Sequence, residues 1–300
     1  METAGAETAA HVMTEVIRVD GLTYTYPNAS APAVRGMDFE IGRGEIFGFL
    51  GPSGAGKSTT QKVLIGLLRG HGGRASVWGR DPLAWGPDYY QRIGVSFELP
   101  NHYQKLTGLE NLRFFASLYD VNTLDPMALL DAVGLADDAN TRVGKYSKGM
   151  QMRLTFARAL INDPELLFLD EPTSGMDPVN ARNVRKMILN LKARGRTIFL
   201  TTHDMVTADE LCDRVAFVVN GRIVALDTPA ELKIARSQRR IRVEYRGDNG
   251  ALESAEFPME GLADDPAFHA VLRNHHVETI HSREATLEDV FVEITGRRLS

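Results

Sequence analysis

Residues 51–59 of the chain read Gly51-Pro52-Ser53-Gly54-Ala55-Gly56-Lys57-Ser58-Thr59, which fits the pattern G-x-x-x-x-G-K-[ST]. The apolar run 46–50 before it predicts a strand, and residues 61–64 after it predict a helix. Glycines in such a loop let successive backbone N–H groups turn inward around a phosphate, and the helix adds the positive end of its dipole. A glycine-rich turn is the alternative, but it would specify neither Lys57 nor Ser58. The sequence therefore predicts a phosphate-binding loop.

The residues after the glycines predict which phosphates are bound. In loops of this pattern the lysine, here Lys57, reaches the β- and γ-phosphates of a nucleotide, and the hydroxyl of Ser58 is placed to ligate Mg²⁺. We expect the whole stretch from Gly51 to Thr59 to contribute to the nucleotide site.

Length and composition limit the classes of protein to consider. The chain has 300 residues, 43% of them apolar, and a formal charge of −5. The length predicts a main unit with a smaller attachment. The charge argues against a nucleic-acid-binding protein that relies on a broad basic surface, so we expect no nucleic-acid partner. The single cysteine, Cys212, cannot form an internal disulfide, and a reducing cytoplasm is the simplest setting.

The N-terminus and the hydropathy of the chain bear on its relation to membranes. Residues 1–14 lack the features of a signal peptide, and we expect them to form a disordered tail. No window approaches the ~20 apolar residues of a spanning helix. We therefore expect any association with a membrane to come through a separate partner.

Strands are predicted before the phosphate loop. Residues 16–19, 22–26 and 34–41 alternate in polarity or are rich in β-formers, and Pro27-Asn28 supplies a turn. We interpret them as an antiparallel layer. The ring of Tyr26, just before the turn, is placed to stack on a purine; an aromatic side chain that packs on its own sheet is the alternative.

From residue 99 to about 162 the pattern becomes helical, and we interpret this block as an inserted helical subdomain. Thr107 and Glu110 form a capping box at the start of one helix. Ser147 and Gly149 lie at the start of another, whose N-terminus would form a second anion-binding site. Taken alone this indication is weak, because serine and glycine are ordinary capping residues.

Two apolar strands of parallel type end in polar residues. Residues 166–169 are followed by Asp170 and Glu171, and residues 197–200 lead through two threonines to His203. The carboxyl ends of parallel strands meet at the edge where α/β sheets bind ligands. We expect Asp170 to hold Mg²⁺ and Glu171 to orient or deprotonate the attacking water. The alternatives are a polar strand terminus for the carboxylates and a capping role for His203.

Five features in this order and spacing resemble an ABC transporter ATP-binding subunit: residues 51–59, 146–151, 166–171 and 174–178, and His203. The resemblance covers about residues 15–235. It implies an α/β fold with a P-loop NTPase core, an antiparallel β layer and an inserted helical subdomain. It also implies ATP hydrolysis with ATP and Mg²⁺ as cofactors.

The same resemblance assigns roles to single residues. It implies that Lys57, Glu171 and His203 are catalytic, that Ser58 and Asp170 ligate the metal, and that Tyr26 forms the adenine platform. In this family two subunits enclose two ATP molecules head to tail. Each phosphate loop is closed by the partner's signature and D-loop, so the residues expected to bind nucleotide also include Ser147, Gly149 and Asp177.

Partners and location follow from the resemblance. It implies a homodimer or a pair of close paralogues, and a separate transmembrane permease that holds the ATPase at the cytoplasmic face of the membrane. The signature 146–150, the loop 174–178 and the late segment 286–291 look like ABC-2-type exporters. These include daunorubicin and fluoroquinolone efflux ATPases, and the run 96–103 looks most like the latter.

Export of drug-like or hydrophobic small molecules is therefore the expected function, with two alternatives. One is the ATPase of an importer. The other is a soluble ABC protein that acts in DNA repair or translation. Proteins of that last class usually have paired nucleotide domains or a long coiled-coil insert, and the sequence shows neither.

One position departs from the family pattern. A glutamine normally stands where this chain has Glu98. Glutamine offers Mg²⁺ a neutral carbonyl, whereas Glu98 adds a negative charge near Glu171 and the phosphates. Because a carboxylate is itself an adequate Mg²⁺ ligand, Glu98 stays a predicted nucleotide- and metal-binding residue.

Residues 236–300 predict a small α+β appendage that forms a C-terminal accessory domain. Strands are expected at 241–245 and 277–280, and a helix at 266–272. Thr286 and Asp289 predict the cap of a last helix. Stability or dimer packing is one role for this domain, and regulation or contact with the membrane subunit is the other.

Overall fold

A computed structural model describes residues 15–236, 240–247, 249–283 and 285–296. The tail expected at residues 1–14 lies outside these ranges. The contacts divide the chain into two compact units, Met1–Leu226 and Asp227–Ser300. The sequence predicts that the first domain ends at residue 235. The structural boundary lies at Leu226, so the segment that contains the helix Pro229–Arg236 belongs to the second unit.

The first unit contains strands β1 (Glu15–Tyr24), β2 (Val34–Gly42), β3 (Ile46–Leu50), β4 (Gly72–Val77), β5 (Ile93–Ser96), β6 (Leu166–Asp170), β7 (Thr197–Thr202), β8 (Arg214–Val219) and β9 (Arg222–Asp227). Its helices are α1 (Lys57–Leu64), α2 (Pro87–Arg92), α3 (Gly108–Ala116), α4 (Pro126–Ala132), α5 (Lys148–Ala159), α6 (Pro178–Ala193) and α7 (Met205–Leu211). Short 3-10 turns lie at Pro82–Ala84 and Val143–Lys145.

The main sheet has the strand order β5-β6-β7-β3-β8-β9. Its pairs from β5 to β8 are parallel. Strands β3, β6 and β7 are buried along their whole length, which explains the apolar residues at the centre of each; β6 ends in Asp170, and β7 begins and ends with threonine. Since β7 lies between β3 and β6, their carboxyl ends bring the phosphate loop, Asp170 and Thr202 to one edge of the sheet.

The predicted antiparallel layer is confirmed as the sheet β2-β1-β4. The segments predicted at 16–19 and 22–26 join in one strand that ends at Tyr24, two residues earlier than predicted, and Gly21 adopts φ +59° where the pairing register shifts. A bulge of this kind lets a strand continue through an irregularity. The ring of Phe39 packs 5.6 Å from Phe47 and 5.0 Å from Phe49, so the two sheets share one core.

The inserted helical block is confirmed as well. Thr107 and Glu110 form the predicted reciprocal capping box of α3, and the carboxylate of Asp125 accepts hydrogen bonds from the first turn of α4. Helix α3 contacts both α4 and α5. Among the helices in the described ranges, none is long and apolar enough to cross a membrane.

The second unit contains α8 (Pro229–Arg236), β10 (Arg240–Arg246), β11 (Leu252–Pro258), α9 (Pro266–Asn274), β12 (His276–Arg283) and α10 (Leu287–Thr295), with a 3-10 turn at Leu262–Asp264. Its strands form an antiparallel sheet in the order β11-β10-β12. The capping box of Thr286 and Asp289 is present. Buried side chains include Val243, Phe257 and Phe291. This is the α+β composition that the sequence predicts.

Candidate functional site

The loop between β3 and α1 has a backbone that requires glycine. Gly54 and Gly56 have φ values of +78° and +107°, which side chains other than glycine rarely adopt. A Cβ atom on Gly51 would lie 2.1 Å from the carbonyl oxygen of Val218, and one on Gly56 would lie 2.6 Å from that of Ala33. No side chain caps the N-terminus of α1, so its first backbone N–H groups are left without a side-chain acceptor.

This loop forms one wall of a pocket of about 340 Å³, which we call the nucleotide pocket. It gathers predicted site residues from several distant parts of the chain. Its lining consists of Tyr26, Ala33, Ser53, Gly54, Ala55, Gly56, Lys57, Ser58, Thr59, Glu98, Asp170, Glu171 and His203.

Lys57 is held by the loop itself. Its ammonium Nζ donates hydrogen bonds to the carbonyl oxygens of Gly51 at 2.5 Å and Pro52 at 3.1 Å. Burial lowers the pKa of Lys57, and the carboxylates of Glu171, Asp170 and Glu98 oppose this shift. The cation therefore lies within the electrostatic reach of all three carboxylates of the pocket. That Lys57 bonds to carbonyls was not expected from the sequence.

The two carboxylates at the end of β6 are buried and oriented by β7. The hydroxyl of Thr201 donates to Oδ1 of Asp170, and that of Thr202 donates to Oε2 of Glu171 at 3.0 Å. The parallel register places Asp170 beside Thr201, which brings these groups together. The sequence analysis gave neither threonine a role, although both end the buried strand β7.

His203 contacts Glu171 from the solvent side. Its Nδ1 lies 2.7 Å from Oε1 of Glu171, and because an ionised carboxylate only accepts, Nδ1 donates this bond. The side chain of His203 is 61% exposed, whereas that of Glu171 is 8% exposed. Glu171 also has φ +49°, a left-handed conformation that costs on the order of 1 kcal/mol and is often found at functional sites.

Tyr26 lines the nucleotide pocket and packs on its own sheet. Its hydroxyl lies 3.1 Å from Oγ1 of Thr59, and its ring meets that of Tyr24 edge to face at 5.0 Å. With 37% of its surface exposed, it retains accessible ring area at the pocket. The packing against Tyr24 agrees with the alternative reading, and stacking of the ring on a purine stays a prediction.

Three predicted nucleotide residues lie elsewhere, in a separate pocket of about 370 Å³ that we call the signature pocket. Ser147 caps α5, since its Oγ accepts from the N–H of Met150 at 3.2 Å. Asp177 caps α6 and accepts from the side chain of Asn180 at 2.6 Å. Bonds from Asn180 and the helix backbone hold the pKa of Asp177 below its usual range. Gly149 completes the set, and a Cβ there would lie 3.3 Å from the carbonyl oxygen of Gly175.

A divalent cation would need ligands beyond the protein. The described residues contain no group of three or more histidine, cysteine, aspartate or glutamate side chains that could hold a metal ion. Ser58, Asp170 and Glu98 line the same pocket as the phosphate loop and offer oxygen atoms, the ligands that Mg²⁺ prefers. This donor set fits a Mg²⁺ ion whose remaining ligands are phosphate oxygens and water.

Comparison with known proteins agrees with this geometry. A family model described as ABC transporter matches residues 34–174, and one described as fluoroquinolone efflux ABC transporter C-terminal domain matches residues 239–284. A fluoroquinolones export ATP-binding protein of Mycobacterium tuberculosis is 80% identical over 295 residues, which cover 98% of each chain. The chain belongs to the ATP-binding proteins of the ABC transporter family. The predicted resemblance is therefore confirmed.

Two further relatives place this ABC ATPase more widely in its family. Nod factor export ATP-binding protein I of Burkholderia pseudomallei is 37% identical over 282 residues, which cover 89% of this chain and 93% of the relative. A solved structure of an ATP-binding subunit of an ABC transporter superposes with a TM-score of 0.66 at 30% identity, covering 73% of this chain and 92% of that one. The predicted fold class of the ABC ATPase core is confirmed.

Proposed function

We propose that this ABC ATPase powers the export of fluoroquinolone-like drugs through a separate membrane permease, on whose cytoplasmic face it binds. The substrate class is supported by the relative named for fluoroquinolone export, which is 80% identical over 98% of the chain. A family model named for fluoroquinolone efflux also matches residues 239–284. The direction is further supported by a second relative named for export.

One observation carries the proposed hydrolysis. The buried carboxylate of Glu171 is hydrogen-bonded through both oxygens, to Thr202 and His203, and it shares a pocket with the phosphate loop. A carboxylate fixed in this way suits a general base, because it is held in place before it orients or deprotonates a water molecule. His203 would donate its Nδ1–H hydrogen bond to Oε1 and so stabilise the charged form of Glu171.

The loop and its lysine would bind the phosphates of ATP. Backbone N–H groups of residues 53–59 and the start of α1 would contact phosphate oxygens. Lys57 would exchange its two carbonyl partners for phosphate oxygens. Ser58, Asp170 and Glu98 would hold Mg²⁺, which when bound neutralises charge on the transferred phosphoryl group.

The signature pocket would complete the site in a pair of subunits. Within one chain, Ser147, Gly149 and Asp177 line a different pocket from the phosphate loop. We propose that a second copy of this chain, or a close paralogue, sets its signature pocket over the nucleotide pocket and closes it around ATP.

The test is drug accumulation in cells. The chain would be expressed with a candidate permease from the same genome in a bacterial host that lacks its main drug pumps, and uptake of a fluorescent fluoroquinolone would be followed. We expect lower accumulation with the intact pair and full accumulation with Glu171→Gln. Glu40→Gln, a change of an exposed carboxylate on β2, is the matched control and should export normally.

Two outcomes would separate the parts of the proposal. If the protein released phosphate but drug accumulation did not change, the proposed substrate class would be wrong and the proposed ATPase activity would stand. Equal export by the intact protein and Glu171→Gln would remove the assignment of Glu171.

A further inference from the structure

Two adjacent threonines, Thr201 and Thr202, bring buried hydroxyl groups to the carboxyl end of β7. Their side chains are 0% and 1% exposed. Strand β7 lies between β6 and β3, and the parallel register places Thr201 beside Asp170 and Thr202 beside Leu50. Burying a hydroxyl is unfavourable unless it is hydrogen-bonded. Each of these two groups therefore needs a partner, and each finds one in a different carboxylate.

Thr201 holds the carboxylate expected to bind the metal ion. Its hydroxyl donates a hydrogen bond to Oδ1 of Asp170. Its carbonyl oxygen accepts from the N–H of Glu171 at 2.9 Å, so the backbone that carries the next carboxylate is fixed to β7 as well. Carboxylates that ligate metal ions are commonly oriented by such hydrogen bonds.

Thr202 holds the carboxylate expected to act as the base, and the direction of its hydrogen bond is determined. Its Oγ1 accepts from the backbone N–H of Asp204 at 3.0 Å and lies 3.0 Å from Oε2 of Glu171. A hydroxyl has one proton, and an ionised carboxylate can only accept. The proton of Thr202 is therefore directed to Glu171, while a lone pair of the same oxygen is used by Asp204.

These bonds form a closed ring around His203. This residue stands between Thr202 and Asp204 in the chain, and its Nδ1 donates to Oε1 of Glu171 at 2.7 Å. Asp204 is itself fixed at the start of α7, because its carboxylate accepts from the N–H of Val206 at 3.0 Å. One hydroxyl thus connects the carboxylate of Glu171 to the backbone that carries the histidine.

Packing alone does not explain a hydroxyl at either position. A β-branched residue suits a buried strand, and valine has the shape of threonine without the polar atom. If these two residues served only to fill β7, valine would do so equally well. The observed hydrogen bonds to Asp170 and Glu171 are what valine cannot supply.

We propose that these two threonines are positioning residues that serve different carboxylates. Thr201 aligns Asp170 for Mg²⁺. Thr202 aligns Glu171 for the attacking water. Neither threonine lines the nucleotide pocket, so each acts through the carboxylate that it contacts. The inference rests on the roles proposed above for Asp170 and Glu171.

Turnover of the full-length protein tests Thr202. Thr202→Val replaces the hydroxyl with a methyl group, and Thr202→Ala differs from Thr202→Ser only by the hydroxyl. We expect kcat for ATP hydrolysis to fall about ten- to hundredfold in the valine and alanine variants, and to stay within about threefold of the parent in the serine variant. The affinity for ATP, measured by calorimetry, should be the same in all four proteins.

Metal binding separates the two threonines without measuring activity. Mn²⁺ is a suitable probe because it prefers the same oxygen ligands as Mg²⁺, and its EPR signal reports the free ion. It is titrated into each protein saturated with a non-hydrolysable ATP analogue. Thr201→Val should weaken Mn²⁺ binding about tenfold, and Thr201→Ser should restore it. Thr202→Val should bind Mn²⁺ as the parent does.

Three results would overturn the assignment. Equal kcat in Thr202→Ala and Thr202→Ser would show that this hydroxyl does not position the base. Equal Mn²⁺ binding by Thr201→Val and the parent would remove the role of Thr201. Weaker Mn²⁺ binding in both valine variants would show that the threonines do not serve separate carboxylates. The serine and alanine pair decides the role of Thr202 even if Thr202→Val does not fold.

The variant Glu171→Gln shows which proposal has failed. If Glu171→Gln hydrolyses ATP as fast as the parent, the proposed role of Glu171 is wrong. If Glu171→Gln is slow and Thr202→Ala is as fast as Thr202→Ser, the role of Glu171 stands and only that of Thr202 is removed.

Discussion

The nucleotide pocket and the signature pocket use their polar side chains in opposite ways. In the nucleotide pocket Asp170 and Glu171 are buried and hydrogen-bonded to residues of the neighbouring strand, and Lys57 is buried beside them. In the signature pocket Ser147 and Asp177 are exposed, and their oxygens cap the helices on which they lie.

This difference indicates how the work is divided. In the proposed mechanism, the groups that move a proton are buried and hydrogen-bonded within one unit, where low exposure strengthens their interactions. Groups at the signature pocket are fixed only by their helix caps and present a surface to the outside. This contrast fits the proposed function, in which the nucleotide pocket carries out hydrolysis and the signature pocket contacts the partner subunit. Three changes test this contrast, from the largest expected effect to the smallest.

Replacing Glu171 with glutamine should slow ATP hydrolysis in the nucleotide pocket. Glu171→Gln keeps the size of the side chain and an oxygen for Thr202, but it cannot take a proton. We expect ATP hydrolysis to fall by about 10²- to 10⁴-fold, the usual worth of general-base catalysis, while ATP still binds. Phosphate release gives the rate, and calorimetry gives the affinity. Unchanged turnover would show that another group activates the water.

Replacing Ser147 with arginine should weaken the contact between the two subunits and leave ATP binding by the monomer unchanged. In the Glu171→Gln background, ATP should drive dimerisation, and Ser147→Arg should weaken the dimer at least tenfold because it adds bulk and charge to an exposed surface. ATP should still bind to the monomer. Light scattering with and without ATP measures the effect.

The control for Ser147→Arg isolates the helix cap. Ser147→Ala loses the same hydrogen bond to Met150, at a cost of about 1 kcal/mol in stability, but adds no bulk. It should weaken the dimer less than the arginine does. Equal dimerisation of the arginine variant and its parent would mean that the signature pocket does not face the nucleotide.

Changes at Glu98 should have the smallest effect. The residue is exposed at the nucleotide pocket, within electrostatic reach of Lys57. If its carboxylate ligates Mg²⁺, Glu98→Gln should need about two- to fivefold more Mg²⁺ for half-maximal hydrolysis, because a neutral oxygen binds more weakly than a charged one. Glu98→Ala should need still more. The ATPase rate is measured against free Mg²⁺ for the three proteins, and identical curves would show that Glu98 does not bind the metal.

Local signals explain which parts of the fold the sequence predicted. The phosphate loop between β3 and α1, and the capping boxes of α3 and α10, depend on residues within a few positions of one another. Strand β11 was not predicted, because Phe257 is its one fully buried residue and it shows no clear alternation of polar and apolar residues. Its place in the sheet comes from pairing with β10.

The unpredicted parts of the candidate sites depend on long-range register. The hydroxyls of Thr201 and Thr202 meet carboxylates 31 residues earlier in the chain, and only the pairing of β6 with β7 brings them together. His102 is similar, because its Nε2 lies within hydrogen-bonding distance of Gln151 and Thr155 on the distant helix α5. For Asp170 and Glu171 the residue type indicated the chemistry but not the partners, and His102 was given no role.

The carbonyl contacts of Lys57 have a consequence for which anions the loop selects. Without ligand, the ammonium already has two oxygen partners in Gly51 and Pro52, so an incoming anion must replace bonds that exist. Chloride, with one charge and no fork of oxygen atoms, gains little from that exchange. A polyphosphate replaces both bonds with charge-assisted ones and gains further bonds along the loop. If the loop binds nucleotide as proposed, these two carbonyl contacts would favour a polyphosphate over small anions such as chloride.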